Sequence, residues 1–585
     1  MKKKILSSIC ALALCLTSAL GFTACEGGSG GTSSEPSSEG SSVPKGMITA
    51  KPLTVEELGE GFDAKYLPDT NSIRALTGKI DVCLDFEGTQ EGWKALEREY
   101  ERLQGGGVDV RIDTTLAGSQ YTEKLNTELT STSTDWDIVE GNLGYANTQK
   151  RCVDMFKSIA SMNPYCGENV SWESVLDSAA YKTKEADNSG ESYIMNTEVM
   201  QTCWFVNEVA LEAAAEQGYE NANGLPSYPV TWEDLISLCE HMEKAGYTNP
   251  LGITLCDASI ESLQFTWLLR VYGDYYYRQF YPYIVEGGED DPIWATYDPT
   301  ATVPENLAGF KIQYSKILSI LFNKETPLEC GYNGFESALY RDFVGNLAKM
   351  KGHLIKDVTV VEFGQLRDKF RTQSEGMAAP QILLDYQGFG INYAKAESDK
   401  FALGYFDYPV MESKYVPAET ITRDIGGNGG FLSVVNHLND SAQNELNKDF
   451  VKFVLSPYGQ TVYYKGLAEA GKVPKGLSTV KNNLVVIPSE WVDFFTESNQ
   501  TIKFNGDVDA NNFLSWGVRY TCGYPQGQRA IKELWRNLLL ANLSNPLTVQ
   551  AFASEWAMAC ETDAKAMTVD YGWNSKVWED AYYVV

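Results

Sequence analysis

Between Val108 and Asn142 the chain reads VDVRIDTTLAGSQYTEKLNTELTSTSTDWDIVEGN. Val108 to Asp113 alternates apolar and polar residues as a half-buried strand does. Tyr121 to Leu129 places apolar residues at helical spacing, and Asp137 to Val139 resumes a short apolar run. The same grammar lies just upstream: Lys79 to Phe86 reads as a strand, and Trp93 to Leu103 as an amphipathic helix ended by Gly105, Gly106 and Gly107. Strands joined through helices must cross over in one direction and bury both faces, so a parallel sheet within an α/β fold is expected. Ligands of such sheets bind beyond the carboxyl ends of the strands. Those ends are Glu87 to Thr89, Thr114 to Ser119 and Glu140 to Tyr145.

With WKALEREYERLQGGGVDVRI, YTEKLNTELTSTSTDWDIV and a MFKSI helix in that order, Lys79 to Ser158 resembles the opening of an extracellular solute-binding protein of ABC importers (family 1, the maltose-binding-protein-like sugar receptors). Later stretches resemble the same family in the same order. Pro229-Val-Thr-Trp-Glu-Asp-Leu, with Thr231 as N-cap and Asp234 closing a variant capping box, precedes NPLGIT. Trp267 to Gly273 resembles its pocket-flanking helix, and Trp294 to Pro299 a small hairpin before a helix over Val303 to Phe322. Ser374 to Tyr386 resembles a strand with an aromatic at its end, Lys400 to Pro409 the return strand, Gly426 to Val435 a Gly-rich strand, and Leu446 to Gln460 a helix.

The resemblance implies a two-lobed periplasmic-binding-protein-like fold (class II), with discontinuous lobes around a hinge and a central cleft. It divides the chain into a lipoprotein signal peptide (1–24), an acylated Cys25 with a flexible tether (25–46), a first lobe (77–195 plus 405–455) and a second lobe (196–404 plus 456–585) with an extended C-terminal helical part. Crossings between lobes are expected near Tyr193 to Val206, near Phe401 to Gly427 and after Ser456. It further implies a carbohydrate ligand, ABC permease subunits as partners, no cofactor and a monomer.

The N-terminus supports export. Met1-Lys-Lys-Lys4, an apolar run from Ile5 to Phe22 and Thr23-Ala24-Cys25 read as a basic n-region, an h-region and a lipobox. A transmembrane anchor is the competing reading, since the run is near the ~18-residue threshold. Glu26 to Gly46 is Gly, Ser, Glu and Pro with almost nothing apolar, a tether that cannot bury a core. The net charge of −30 repels phosphates, so nucleic acid is not expected as a partner. Of twelve Cys, three lie in Met1 to Cys25, and the rest are scattered without C-x-x-C, which argues against a disulfide framework and a zinc site.

Other motifs lack their context. Gly466-Leu-Ala-Glu-Ala-Gly-Lys-Val473 approaches a P-loop, but Val473 offers no hydroxyl for Mg²⁺ and QTVYYK before it reads as helix, so a helix end plus turn is expected. Gly426-Gly-Asn-Gly-Gly430 precedes a strand instead of a helix, which suits a crowded loop at a lobe crossing. Asp507 to Asn512 has oxygen ligands at calcium-loop positions one, three and five, yet Asn512 replaces Gly and Val518 the bidentate Glu, so a polar turn is expected. His241, His353 and His437 form no metalloprotease pattern, G-x-S-x-G occurs only as Gly27 to Gly31 within the Gly/Ser tether and so lacks its strand and helix, and an enzyme is not expected.

Candidate ligand-binding residues are therefore aromatic platforms and hydrogen-bonding partners: Trp204, Trp267, Tyr386 and Trp516 for stacking, with Trp136 and Trp294 as further platforms, and Glu87, Asn142, Tyr145 and Asn428 for directional bonds to a polyhydroxylated ligand. For each Trp, core packing is the competing reading. A receptor for a peptide or organic acid, or a surface hydrolase or adhesion lipoprotein, are the alternatives to a sugar receptor.

Overall fold

The structure is a computed structural model that describes residues 46–84, 89–116, 118–131, 134–141, 151–177, 180–181, 191–261, 263–284, 287, 290, 297–298, 300, 314–322, 334–388, 392, 401–423, 427–488, 525–540, 544–570 and 572. The expected strand, helix, strand, helix, strand unit is present. β1 (Gly78–Cys83) pairs in parallel with β2 (Val108–Asp113) and with β3 (Ile138–Glu140), through crossover helices Gln90–Leu103 and Gly118–Thr130. The sheet is mixed beyond these three strands. β9 (Gly427–Val434) runs antiparallel to β3 and to β4 (Met195–Met200), and β10 (Leu477–Ser478) antiparallel to β4, giving the order β10-β4-β9-β3-β1-β2.

A second sheet has the order β6-β7-β5-β8, with β5 at Thr202–Asn207, β6 at Leu251–Gly252, β7 at Ile382–Tyr386 and β8 at Leu403–Phe406. Every residue of β5 is buried, as a strand covered on both faces must be. Asn207 then caps the helix Glu208–Glu216 by accepting the Val209 amide. The Thr231 and Asp234 capping box forms as read from sequence and starts the helix Trp232–Lys244.

Each sheet carries its own core. The first joins Ile80, Val82 and Val110 to Leu96, Tyr100, Phe450, Phe453 and Tyr458, and the short helix Val55–Leu58 docks on it. Tyr100 and Tyr165 both donate to Asp449, at 2.8 and 2.6 Å, so this buried carboxylate is paired within that core. The second core joins Trp204, Phe205, Trp232, Tyr272 and Ile382 to the C-terminal helices Pro525–Leu539 and Val549–Asp570 through Trp535 and Trp556. Among the described residues no helix is long and apolar enough to cross a membrane.

The chain passes from the first sheet to the second at Gln201, between β4 and β5. It returns between Arg423, paired with Asp274 in the second core, and Gly427. Three of the expected lobe boundaries need correction: residues 196–200 were assigned to the second lobe but form β4 of the first sheet. Residues 405–423 were assigned to the first lobe, but β8 pairs with β5 through Trp204↔Phe406, and Tyr408, Met411 and Val416 lie in the second core. Residues 456–585 were assigned to the second lobe, and Val473 and the helices Pro525–Leu539 and Val549–Asp570 do lie in the second core, but Ser456 accepts the Gly459 amide and Pro457 takes the first helical position of a new helix, Pro457–Glu469, that packs on the first core. β10 and Val480 follow it there. The expected helix end and turn are found at Gly466 to Val473: the helix ends at Glu469 and Gly471 turns with φ of 67°.

Candidate functional site

At the carboxyl end of β3 the first sheet opens into a recess. Thr89, the N-cap residue of the Gln90–Leu103 helix, forms one wall with Trp93. Glu140, the last residue of β3, and Glu198 of β4 form another, and Tyr463 of the Pro457–Glu469 helix closes the side. The two helices meet this closely because the contact is made of glycines. A Cβ on Gly92 would stand 2.6 Å from the Tyr463 ring, and one on Gly466 would stand 2.5 Å from the Ala95 Cβ. That approach sets Tyr463 edge-on to Trp93, with ring centroids 6.1 Å apart and planes at 75°.

The recess is polar at its floor. Lys475 Nζ lies 3.8 Å from Glu140 Oε1, with both side chains largely shielded from solvent. Burial, and then the Glu198 charge, push the Tyr463 and Tyr464 phenols well above their ordinary value, so both remain hydroxyl donors. Aromatic edges, two carboxylates, a lysine and the Thr89 and Thr197 hydroxyls line the recess.

A second aromatic group stands in the other lobe. Trp267, on the helix Gln264–Tyr277, packs against Tyr386 at the end of β7 with centroids 4.6 Å apart and against Phe363 edge-on at 5.6 Å. A buried ion pair holds this group in place. Arg367 donates to both oxygens of Asp385, at 2.7 and 2.6 Å, its guanidinium sits 4.2 Å over Phe363, and the Tyr386 amide donates to Asp385 at 2.6 Å. Burial pushes the Asp385 carboxyl up, while Arg367 and the Tyr386 amide pull it down. Two residues past Tyr386, Gly388 abuts Pro474 and Lys475, and Lys475 also lines the recess.

The structure brings together Trp267 and Tyr386 of the expected residues. Trp204 is fully buried and stacks on Phe406 with planes at 4°, which makes it part of the second core in this structure. Trp136 stacks on Tyr121 at 6.0 Å in a small cluster beside β3. Asn428 is placed in β9 opposite Val199. Glu87, Asn142, Tyr145, Trp516, Trp294, Cys25 and the calcium-like run Asp507 to Asn512 lie outside the described residues. Thr89 and Glu140 fall in the strand-end windows read from sequence. Trp93, Glu198, Tyr463 and Lys475 were not anticipated, and only the glycines at positions 92 and 466, inside helical patterns, hinted at the close contact that shapes the recess.

No protein-family model and no curated protein matches this chain. Solved structures do match. The GacH receptor of Streptomyces glaucescens GLA.O, solved unliganded and with acarbose and an acarbose homolog, aligns with a TM-score of 0.50 at 14% identity, over 84% of this chain and 99% of that one. A manno-oligosaccharide specific solute-binding protein from Bifidobacterium animalis subsp. lactis, in complex with mannotriose, aligns at 0.47 and 13% identity over 89% and 100%. A family 1 extracellular solute-binding protein from Bifidobacterium longum subsp. infantis aligns at 0.43 and 14% over 83% and 99%. At such identities the likeness is one of fold. Two sheets, two cores and the match to GacH make this a two-lobed, periplasmic-binding-protein-like α/β fold.

Proposed function

We propose that this chain is a lipid-anchored extracellular solute-binding protein, not an enzyme, that captures a carbohydrate between its lobes and delivers it to the permease of an ABC importer. Three observations support the reading: a polar, aromatic-edged recess in the first lobe, the Trp267 and Tyr386 rings of the second, and the contact of Gly388, two residues past Tyr386, with Lys475 of the recess lining. Sugar rings offer apolar faces that stack on aromatics and hydroxyls that need directional partners, and this arrangement supplies both. The match in fold to a receptor solved with acarbose supports the ligand class. The lipobox ending at Cys25 and the tether after it support anchorage outside the cell.

A ligand that touches both lobes makes some contacts only when they are closed, so it shifts the population toward the closed form. A thermal-shift screen against oligosaccharides tests the reading, because a ligand bound by the native state alone stabilises by RT ln(1 + [L]/Kd). The expected result is a concentration-dependent rise in melting temperature with a smaller radius of gyration at saturation. Stabilisation by peptides or organic acids in place of sugars would move the ligand class, and release of cleaved product would overturn the receptor reading.

A further inference from the structure

Gln264 opens the helix that carries Trp267, and its side chain is fully buried. Its Nε2 donates to the Gly252 carbonyl at 3.1 Å and to the Leu384 carbonyl at 2.6 Å, and its Oε1 accepts the Thr254 amide at 3.0 Å. Both hydrogens of the side-chain amide are thus in use. These bonds fall where the β6–β7 ladder stops, at Gly252↔Leu383, so one side chain ties the first turn of the helix to both strands. Trp267 lies three residues along the helix from Gln264, and Tyr386 two residues along β7 from Leu384, each on the same face of its element. The 4.6 Å spacing of the two rings is therefore referred to a single amide.

Against this turn packs the C-terminal helix Pro525–Leu539. Its Trp535, 1% exposed, meets Phe265 edge-on with centroids 5.1 Å apart, and Phe552 of the Val549–Asp570 helix backs Trp535 at 4.5 Å. Arg536 donates from Nε and Nη2 to the Leu255 carbonyl, at 2.9 and 2.7 Å, and from Nη2 to Asp257 Oδ1 at 2.6 Å. Leu255 follows Thr254 directly, so this arginine fixes the backbone beside the amide that reaches Gln264. The Phe265 amide donates to Ser259 Oγ at 3.2 Å, and that hydroxyl donates to the Thr254 carbonyl at 2.7 Å, which closes the network.

We propose that Gln264 is the positioning residue of the Trp267 and Tyr386 platform, and that the C-terminal helix Pro525–Leu539 locks it in place through Arg536. The position demands an amide. An ionised glutamate there would face the Gly252 and Leu384 carbonyls with no hydrogen to give, whereas its protonated form could donate to one of them. What the platform does for a ligand rests on the receptor reading above. How its rings are set does not, so the test uses no ligand and its failure leaves the thermal-shift screen to decide that reading separately.

The full-length chain labelled with 5-fluorotryptophan reads the platform by fluorine NMR, with the Trp267 resonance identified by its loss in Trp267→Phe. Trp172 of the first core, bonded to the Leu455 carbonyl and identified in the same way, is the control and should not move. Hydrogen exchange at the Thr254 amide reads the bond to Gln264. Gln264→Glu should displace the Trp267 resonance at about pH 9 and lower Thr254 protection there about tenfold or more, and by about pH 5 the protonated carboxyl should bring the resonance back toward its wild-type position. Arg536→Met should lower Thr254 protection about tenfold and move the Trp267 resonance in the same direction. Arg536→Lys keeps a donor for the Leu255 carbonyl and should restore most of both, and this pair decides the matter if Gln264→Glu does not fold. An unmoved Trp267 resonance in Gln264→Glu or in Arg536→Met would overturn the proposal. So would a displacement in Gln264→Glu that is the same at both pH values, or an Arg536→Lys variant no nearer the wild type than Arg536→Met.

Discussion

Arg367→Met isolates the ion pair beneath the aromatic group of the second lobe. Asp385 is fully buried, and Arg367 is its only cationic partner among the described residues. Methionine fills much the same space but leaves a buried carboxylate uncompensated, which costs about 3–5 kcal/mol. For a lobe of this size that lowers the melting temperature by roughly 10 °C. The sign of the pH dependence follows from the direction of the Asp385 shift. Burial already holds its folded-state pKa above the ordinary value, and removing Arg367 takes away the strongest downward pull, so it rises further. Between the unfolded value near ~4 and that raised value the folded form binds more protons than the unfolded form, so stability falls as pH rises through the window. The loss in Arg367→Met should therefore be full above the raised value and shrink as pH is lowered through it toward ~4. Adding Asp385→Asn removes the charge and should recover much of the loss at neutral pH. Denaturant unfolding at several pH values is the assay. A loss below about 1 kcal/mol, the range of a solvated pair, or no recovery in the double variant would refute the reasoning.

Three further outcomes are expected. Cys25→Ala should leave an unacylated protein, unprocessed or shed into the medium, as read by detergent partitioning; partitioning like the wild type would remove the lipobox. Tyr386→Ala should weaken sugar binding by calorimetry about tenfold or more, from ~1–3 kcal/mol of lost stacking and area. It should lower the melting temperature less than Trp267→Ala does, because Tyr386 is only partly buried whereas Trp267 is 3% exposed. Hydrogen bonds from Arg536 and then Lys532 hold the Asp257 carboxyl below its usual value, so the help it gives to docking the Pro525–Leu539 helix is present above ~4 and lost as pH falls through the lowered value. Exchange in that helix should rise at low pH, and Asp257→Asn should show the faster exchange at all pH values.

Local physics made much of the fold readable. β1 reads as a strand, β2 announces itself by alternation and β3 by a short apolar run, the Thr231 and Asp234 box by spacing, and the helix end after Glu469 by a missing hydroxyl and a glycine. Which sheet a strand joins is not a local property. Leu403 to Phe406 alternates in a way that fits either lobe, and only pairing with β5 decides. The pattern reads as one helix from Leu446 to Gln460, but Ser456 and Pro457 end one helix at Val454 and start another at Pro457, and only the core beneath shows that the second helix packs in the first lobe.

The site shows the same limit. Trp204 and Trp267 carry equal weight in sequence as platforms, since an aromatic ring is as useful in a core as against a ligand. Their surroundings separate them: Trp204 lies in an all-buried strand against Phe406, while Trp267 lies against the half-buried Tyr386. The recess itself is set by residues far apart in the chain. Gly92 reads as a weak point in a helix and Gly466 as the start of a failed phosphate motif. Their meaning appears only when the two helices cross and the absent Cβ atoms let Tyr463 reach Trp93. A glycine that costs helix stability at both places is then explained by the contact it permits, and an alanine at either would press the helices apart and displace the aromatic wall of the recess.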